Sequence, residues 1–194
     1  MFYEPKDGHG MAHNPFSAII SPRPVGWIST TGSMGDNLAP YSFFNAAAYS
    51  PPQVMFCSTG IKDSVRNIRE TLVFAVNIVE EAMFGVMSET SAALPRGVDE
   101  FAHAGIARAA CRTIACRCVE GAPAVLECVL VQEVVLRGTD NVMVIGEVTG
   151  VHLRDDCIVE GRFDVTRYRP VARMGYQDYA VVREVVRLPR PDER

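Results

Sequence analysis

The chain has 194 residues, 48% of them hydrophobic and 22% charged, with a formal net charge of −4. That length and mix describe one globular domain able to bury a core. They leave no basic face for nucleic acid, and no apolar run nears the roughly 18–20 residues of a membrane-crossing helix.

Residues 1–15, polar and containing Gly and His, read as an N-terminal arm. They hold no charged n-region ahead of an apolar h-region, so a cytoplasmic protein is expected. Ala18–Ser21 and Val25–Thr31 (VGWISTT) have strand character. Gly32-Ser33-Met34-Gly35-Asp36 reads as a hairpin loop. Asn37–Ala48 is predicted as the return strand, with Pro51-Pro52 blocking its continuation. Gln53–Ser58 (QVMFCS) is a further strand, followed by a Thr59-Gly60-Ile61 loop. The spacing then predicts a short helix over Asp63–Glu70, with Asp63 or Ser64 as its N-cap. Leu72–Val79 (LVFAVNIV) has the look of a fully buried strand. Glu80–Ala93 shows helical spacing through Met83, Val86 and Met87, and Val98–Gly105 predicts another short helix. Two long strands follow, Ala124–Leu136 and Asn141–Leu153, joined by Gly138-Thr139-Asp140. The cluster YRPVARMGYQDYAVV ends the predicted domain, 16–182, and residues 183–194 read as a C-terminal tail.

The predicted fold class is mainly β with short helices. Six or seven mostly antiparallel strands joined by hairpins favour a closed barrel, because closure removes unpaired edges. The chain has no GxGxxG after a strand and no GxxxxGK[ST], which excludes a dinucleotide fold and a P-loop. Its six cysteines include Cys111, Cys116 and Cys118 close together, with Cys57, Cys128 and Cys157 in apolar runs. They read as buried, reduced thiols. No second Cys pair or His cluster supports a zinc site; His9 and His13 flank the arm, where a metal site is the minor reading. No Ser-His-Asp order stands out, so no catalytic side chain is assigned. Glu127, on a long apolar strand, is either a buried carboxylate paired with an arginine or a ligand contact. Trp27 is read as core or dimer interface.

Two stretches could carry chemistry. The chain holds 19 Lys and Arg residues, of which only Lys6 and Lys62 are lysines. Lys62 stands in Ser58-Thr59-Gly60-Ile61-Lys62-Asp63-Ser64, where a strand gives way to a helix start. Free N–H groups, the ammonium and the hydroxyls there suit a phosphate monoester. An ordinary capped helix beside a surface lysine would give the same pattern. The second stretch is Asn37–Asn45, NLAPYSFFN. Alternation separates Leu38, Pro40, Ser42 and Phe44 from Ala39, Tyr41, Phe43 and Asn45. Amides and hydroxyls among aromatics suit a flat heteroaromatic ligand, or equally a strand whose polar groups are satisfied in its pleat.

The segments SPRPVGWISTTGSMGDNLAPYSFFNAAAYSPPQVMF, KDSVRNIRETLVFAVNIV, GVDEFAHAGI, LECVL, VIGEVTGVHL and RPVARMGYQDYA occur in that order from Phe16 to Ala180. Together they resemble the flavin reductase family, with its FMN-binding split β-barrel. The resemblance implies a homodimer with FMN at the subunit interface and NADH or NADPH as donor. It implies that Ser58, Thr59, Lys62, Asp63 and Ser64 hold the phosphate side. Thr30 and Thr31 would lie near the flavin, and Asn37, Leu38, Ala39, Tyr41, Ser42 and Asn45 would line its ring system. Arg173 would reach the cofactor or tie down the tail. Many shorter members carry a histidine near the nicotinamide, just before the IGxV strand. Asn141 stands there in this chain, with His152 farther along. The implied activity is NAD(P)H:flavin oxidoreduction, with a monooxygenase as the expected partner, or else flavoredoxin-like electron transfer.

Overall fold

The computed structural model describes residues 1–138 and 140–191. Thr139, inside the predicted 138–140 connection, and residues 192–194 of the tail lie outside the described residues.

Seven strands build the main antiparallel sheet. They are β1 (Gly26–Gly32), β2 (Gly35–Tyr41), β3 (Phe44–Tyr49), β4 (Pro52–Thr59), β5 (Val73–Ile78), β6 (Ala124–Val135) and β7 (Asn141–Leu153). Their spatial order is β2-β1-β5-β6-β7-β4-β3, so β2 and β3 lie at opposite edges. Register sorts the side chains onto two faces. Ile28 pairs with Val76, and Val76 with Leu126; one step along, Ser29 pairs with Ala75, and Ala75 with Glu127. The first row faces inward and the second outward, because successive strand residues point to opposite faces.

The inward face curls around its own core. Tyr41 on β2 stacks 4.7 Å from Phe56 on β4, and Phe56 meets Phe74 on β5 at 5.6 Å between ring centroids. Strands far apart in the sheet thus share one interior, and the Asp63–Thr71 helix adds Val65 and Ile68 to it. Gly26 is required at this closure, since a Cβ there would lie 2.7 Å from the Phe44 ring. The outward face is covered by the chain between residues 79 and 122. Val79, Met87, Phe101, Ile114 and Val119 pack on Trp27, Leu38, Ala75 and Val125. Asn77 fastens this cover: its amide donates to the Trp27 carbonyl (2.8 Å) and its Oδ1 accepts from Val119 N–H (2.7 Å). The arrangement is mainly β with short helices, the split-barrel plan.

Several predicted elements differ. Asn37–Ala48 is two strands rather than one, broken at Ser42–Phe43. Tyr41 and Phe44 are both buried in the same interior, and a spacing of three cannot keep one face of a single strand. Ala18–Ser21 is not a strand; Phe16–Ile19 is a short helix whose first N–H donates to Asn14 Oδ1 at 2.9 Å. That local bond needs no partner strand, whereas β pairing would. Glu80–Ala93 is helical only over Phe84–Glu89, after a turn at Glu81–Met83. Val98–Gly105 reduces to Glu100–His103, with the Asp99 carboxylate accepting from Ala102 N–H. Lys62, and neither Asp63 nor Ser64, occupies the N-cap position of the Asp63–Thr71 helix. Both of those side chains are engaged elsewhere, as described next. All six cysteines are free thiols, and Trp27 is fully buried in the outer core.

Candidate functional site

A cavity of about 600 Å³ opens between β2, the end of β4, the start of the 63–71 helix and the 90–96 segment. Its apolar walls include Ala39, Pro40, Ile61 and Leu94. Its cationic end holds Lys62, Arg66 and Arg96. A volume of that order fits a small-molecule site lined by apolar groups with a few fixed polar contacts.

The wall is held by a chain of side-chain bonds. Ser64 Oγ donates to Asn37 Oδ1 at 2.6 Å. The Asn37 amide donates to both Glu100 carboxylate oxygens, at 2.9 and 3.0 Å, and Leu38 N–H donates to Glu100 at 3.0 Å. Burial pushes the Glu100 carboxyl above its usual range, against the lowering effect of the Leu38 N–H and Asn37 bonds. Asp63 organises the opposite lip. Its carboxylate accepts from Gly97 N–H at 3.0 Å and pairs with Arg66 at 3.2 Å and Arg96 at 3.6 Å. Arg66 and Arg96 are therefore part-neutralised, while Lys62 forms no ion pair with a described residue.

Tyr41 closes the inner wall of the cavity. The residue is 8% exposed and lines the cavity. Its phenol oxygen is one of two buried side-chain polar atoms without a hydrogen-bond partner among the described residues. Burial pushes this phenol above the ordinary tyrosine range, against the lowering effect of the neighbouring Ser64 and Ser58 hydroxyls. A buried, unpaired hydroxyl costs about 1–3 kcal/mol unless a ligand satisfies it.

Of the residues expected from sequence, Asn37, Ala39, Tyr41, Ser42, Thr59, Lys62, Asp63 and Ser64 line this one cavity. The others lie outside its lining. Leu38 points into the outer core. Ser58 sits behind the loop, donating to the Gly60 carbonyl at 2.8 Å. The buried Thr30 hydroxyl accepts from the Asn67 amide (3.1 Å), and Thr31 donates to Asp36 (2.7 Å). Asn45 is carried to the opposite sheet edge by the break at 42–43, where its Oδ1 accepts from Ala46 N–H. Arg173 belongs to a separate small sheet and ties down the tail, bonding Tyr179 Oη and the Tyr176 carbonyl.

Asn141 pairs in register with Thr59, whose hydroxyl donates to Asn141 Oδ1 at 3.2 Å. His152 lies elsewhere, against Glu127 on the outer face. Glu127 is paired with that ring and with backbone N–H groups rather than with an arginine side chain.

Sequence reasoning missed Arg66, Glu100 and the 90–96 segment. Arg66 was within reach, four residues from Lys62 on one helix face. The segment TSAALPRG carries a loop signal in its Pro and Gly, which the helical spacing before it outweighed. Among the described residues, no group of three or more His, Cys, Asp and Glu side chains could hold a metal ion. The cavity suits instead a flat, largely apolar ring system bearing an anionic arm. The apolar walls and the cationic end match the parts of FMN in kind.

Comparison with known proteins agrees with this layout. A family model described as flavin reductase like domain matches residues 19–171. An uncharacterized protein of Deinococcus radiodurans is 37% identical, over 90% of this chain and 82% of that protein. Nitrilotriacetate monooxygenase component B from Bacillus cereus superposes with a TM-score of 0.90 at 28% identity, covering 97% of this chain and 98% of that one. The 2-nitrobenzoate 2-nitroreductase of Pseudomonas fluorescens gives 0.83 at 28% identity, over 91% of this chain and 88% of its own.

Proposed function

The chain belongs to the flavin reductase like domain family, and on that premise we propose that it binds FMN in the cavity beside Lys62 and passes hydride to it from NADH or NADPH. The observation that carries this reading is the cavity itself. A cationic end and apolar walls converge there.

The flavin, when bound, supplies the redox chemistry. The protein's part is binding and orientation. Lys62 and Arg66 would hold the phosphate, charge-assisted and at a helix start. Glu100 keeps Asn37 aimed at the cavity wall. Ala39, Pro40, Ile61 and Leu94 would exclude water from the ring faces. Hydride transfer needs no protein acid or base, which fits a cavity whose carboxylates, Asp63 and Glu100, are both occupied in holding structure.

The reading includes a homodimer. The exposed edge strand β3, with Tyr49 at 97% exposure, supports a second copy covering that edge. Likeness to a monooxygenase component supports a partner monooxygenase that consumes reduced flavin.

The test is steady-state oxidation of NADH and of NADPH with FMN, FAD or riboflavin, beside the visible spectrum of the purified protein. Turnover with one donor is expected. FMN binding without turnover by either donor would assign an electron carrier instead, and no flavin binding at all would overturn the site. Lys62→Ala is expected to raise the FMN dissociation constant about 10- to 100-fold, the worth of a charged hydrogen bond. Unchanged affinity in titration would remove Lys62 from the phosphate site.

A further inference from the structure

A two-stranded hairpin, Arg108–Ala110 with Arg117–Val119, lies in the cover over the outer face of the sheet. Its register pairs Ala109 with Cys118 and Ala110 with Arg117. One step further, Cys111 stands directly opposite Cys116, and the Cys111 N–H donates to the Cys116 carbonyl at 3.0 Å. Residues opposed across a bonded antiparallel pair have Cα atoms about 5.5 Å apart, inside the roughly 4.4–6.8 Å that a disulfide spans. Cys118 lies two residues beyond Cys116 on the same face and is the diagonal neighbour of Cys111. All three are free thiols. Cys116 and Cys118 are buried in the outer core, and Cys111 is the half-exposed member that packs against them.

We propose that Cys111 and Cys116 are a site of reversible oxidation, closed to a disulfide by a hydroperoxide. None of the three thiols lines the flavin cavity. The Cys116 thiolate attacks the distal oxygen of the peroxide; the O–O bond breaks, and sulfenic acid forms on Cys116 as water or alcohol leaves. The Cys111 sulfur then displaces hydroxide from that sulfur, forming the S–S bond and releasing water. In total two thiols lose two protons and two electrons, and one peroxide is reduced.

The local electrostatics favour this order. Interaction among the three thiols raises Cys111 and lowers both Cys116 and Cys118, Cys118 to about 7. Cys116 therefore ionises before Cys111. Four further contacts show what the bond would fasten. Arg112 N–H and Thr113 N–H, between the two thiols, hold the Glu127 carboxylate. Arg108 at the hairpin's start bonds Asp36 and Asp99, the neighbours of the cavity residues Asn37 and Glu100. The disulfide would lock the hairpin that braces that wall.

The sequence makes the bond readable. Trypsin cleavage after Arg108, Arg112, Arg117 and Arg137 places Cys111, Cys116 and Cys118 on three different peptides. The native protein is treated with hydrogen peroxide, remaining thiols are alkylated, and the digest is read by mass spectrometry. The expected product joins Ala109–Arg112 to Thr113–Arg117, leaves four of the six cysteines alkylated, and is reversed by dithiothreitol. Cys118→Ser is expected to keep it, and Cys111→Ser to abolish it. A bridge to Cys118, stable oxygen addition in place of a bridge, or six alkylated thiols after treatment would overturn the proposal. The wild-type digest decides the matter even where a variant folds poorly.

Discussion

Glu127 has 0% of its surface exposed, yet four groups satisfy its carboxylate. It accepts from Arg112 N–H (2.7 Å), Thr113 N–H (2.5 Å) and the Thr113 hydroxyl (2.6 Å), and it meets the His152 ring. Burial alone would raise its carboxyl, but these bonds outweigh it and hold the group at about 2, against an ordinary 4.5. A depressed carboxylate contributes stability that is fully present above its unfolded value and is lost as pH falls through the folded one. Urea midpoints should thus fall steeply between about pH 4.5 and pH 2 in the wild type. Glu127→Gln should flatten that limb and cost about 3 kcal/mol at pH 7, on the order of the linkage energy. A variant with the wild-type acid limb would show that another carboxylate governs it. The buried carboxylate was legible in LECVL, but its partners were not. Arg112 and Thr113 reach it only because the hairpin folds back over β6.

The start of the 63–71 helix shows how an element is positioned by bonds outside itself. Asp63 and Ser64 have the residue types of N-caps, but tertiary partners take both. Ser64 bonds Asn37, and Asp63 fastens Gly97 with Arg66 and Arg96. That leaves Lys62 at the cap position, facing the cavity without a described acidic partner. Asp63 is thus the tether of the 95–97 lip as well as part of the cavity lining. Asp63→Ala should release that lip. Hydrogen exchange at Gly97 and tryptic cleavage after Arg96 should speed up by about tenfold or more, the worth of a hydrogen bond to a charged acceptor. Unchanged protection at both places would mean that the lip is held by its packing alone.

At the scale of the whole molecule, closure of the sheet depends on a few aromatic rings and one missing side chain. Tyr41, Phe56 and Phe74 meet inside, and Phe44 comes from the opposite edge to lie over Gly26. Gly26→Ala should push a methyl into the Phe44 ring and lower stability by about 1–3 kcal/mol, read as a fall in Tm. Because the two sites touch, Phe44→Ala in that background should cost less than in the wild type. Additive costs would show that the ring is free to move aside. Among the described residues, no helix is long and apolar enough to cross a membrane.

Strand periodicity, turn residues and the Ser58–Ser64 loop were enough to read a mainly β chain and to single out Lys62, because period and capping chemistry are local. The motif order also carried the family. What sequence could not fix was which residues share a surface. Asn45 and Tyr41 are four apart in one apparent strand, yet the break at Ser42–Phe43 sends them to opposite edges of the sheet. Arg96 and Glu100, distant in sequence from Asn37 and Lys62, are brought to the same cavity. Cys111 faces Cys116 only through the hairpin's register. Such contacts are set by how the sheet curls and what must be buried on each face, a property of the packed chain as a whole.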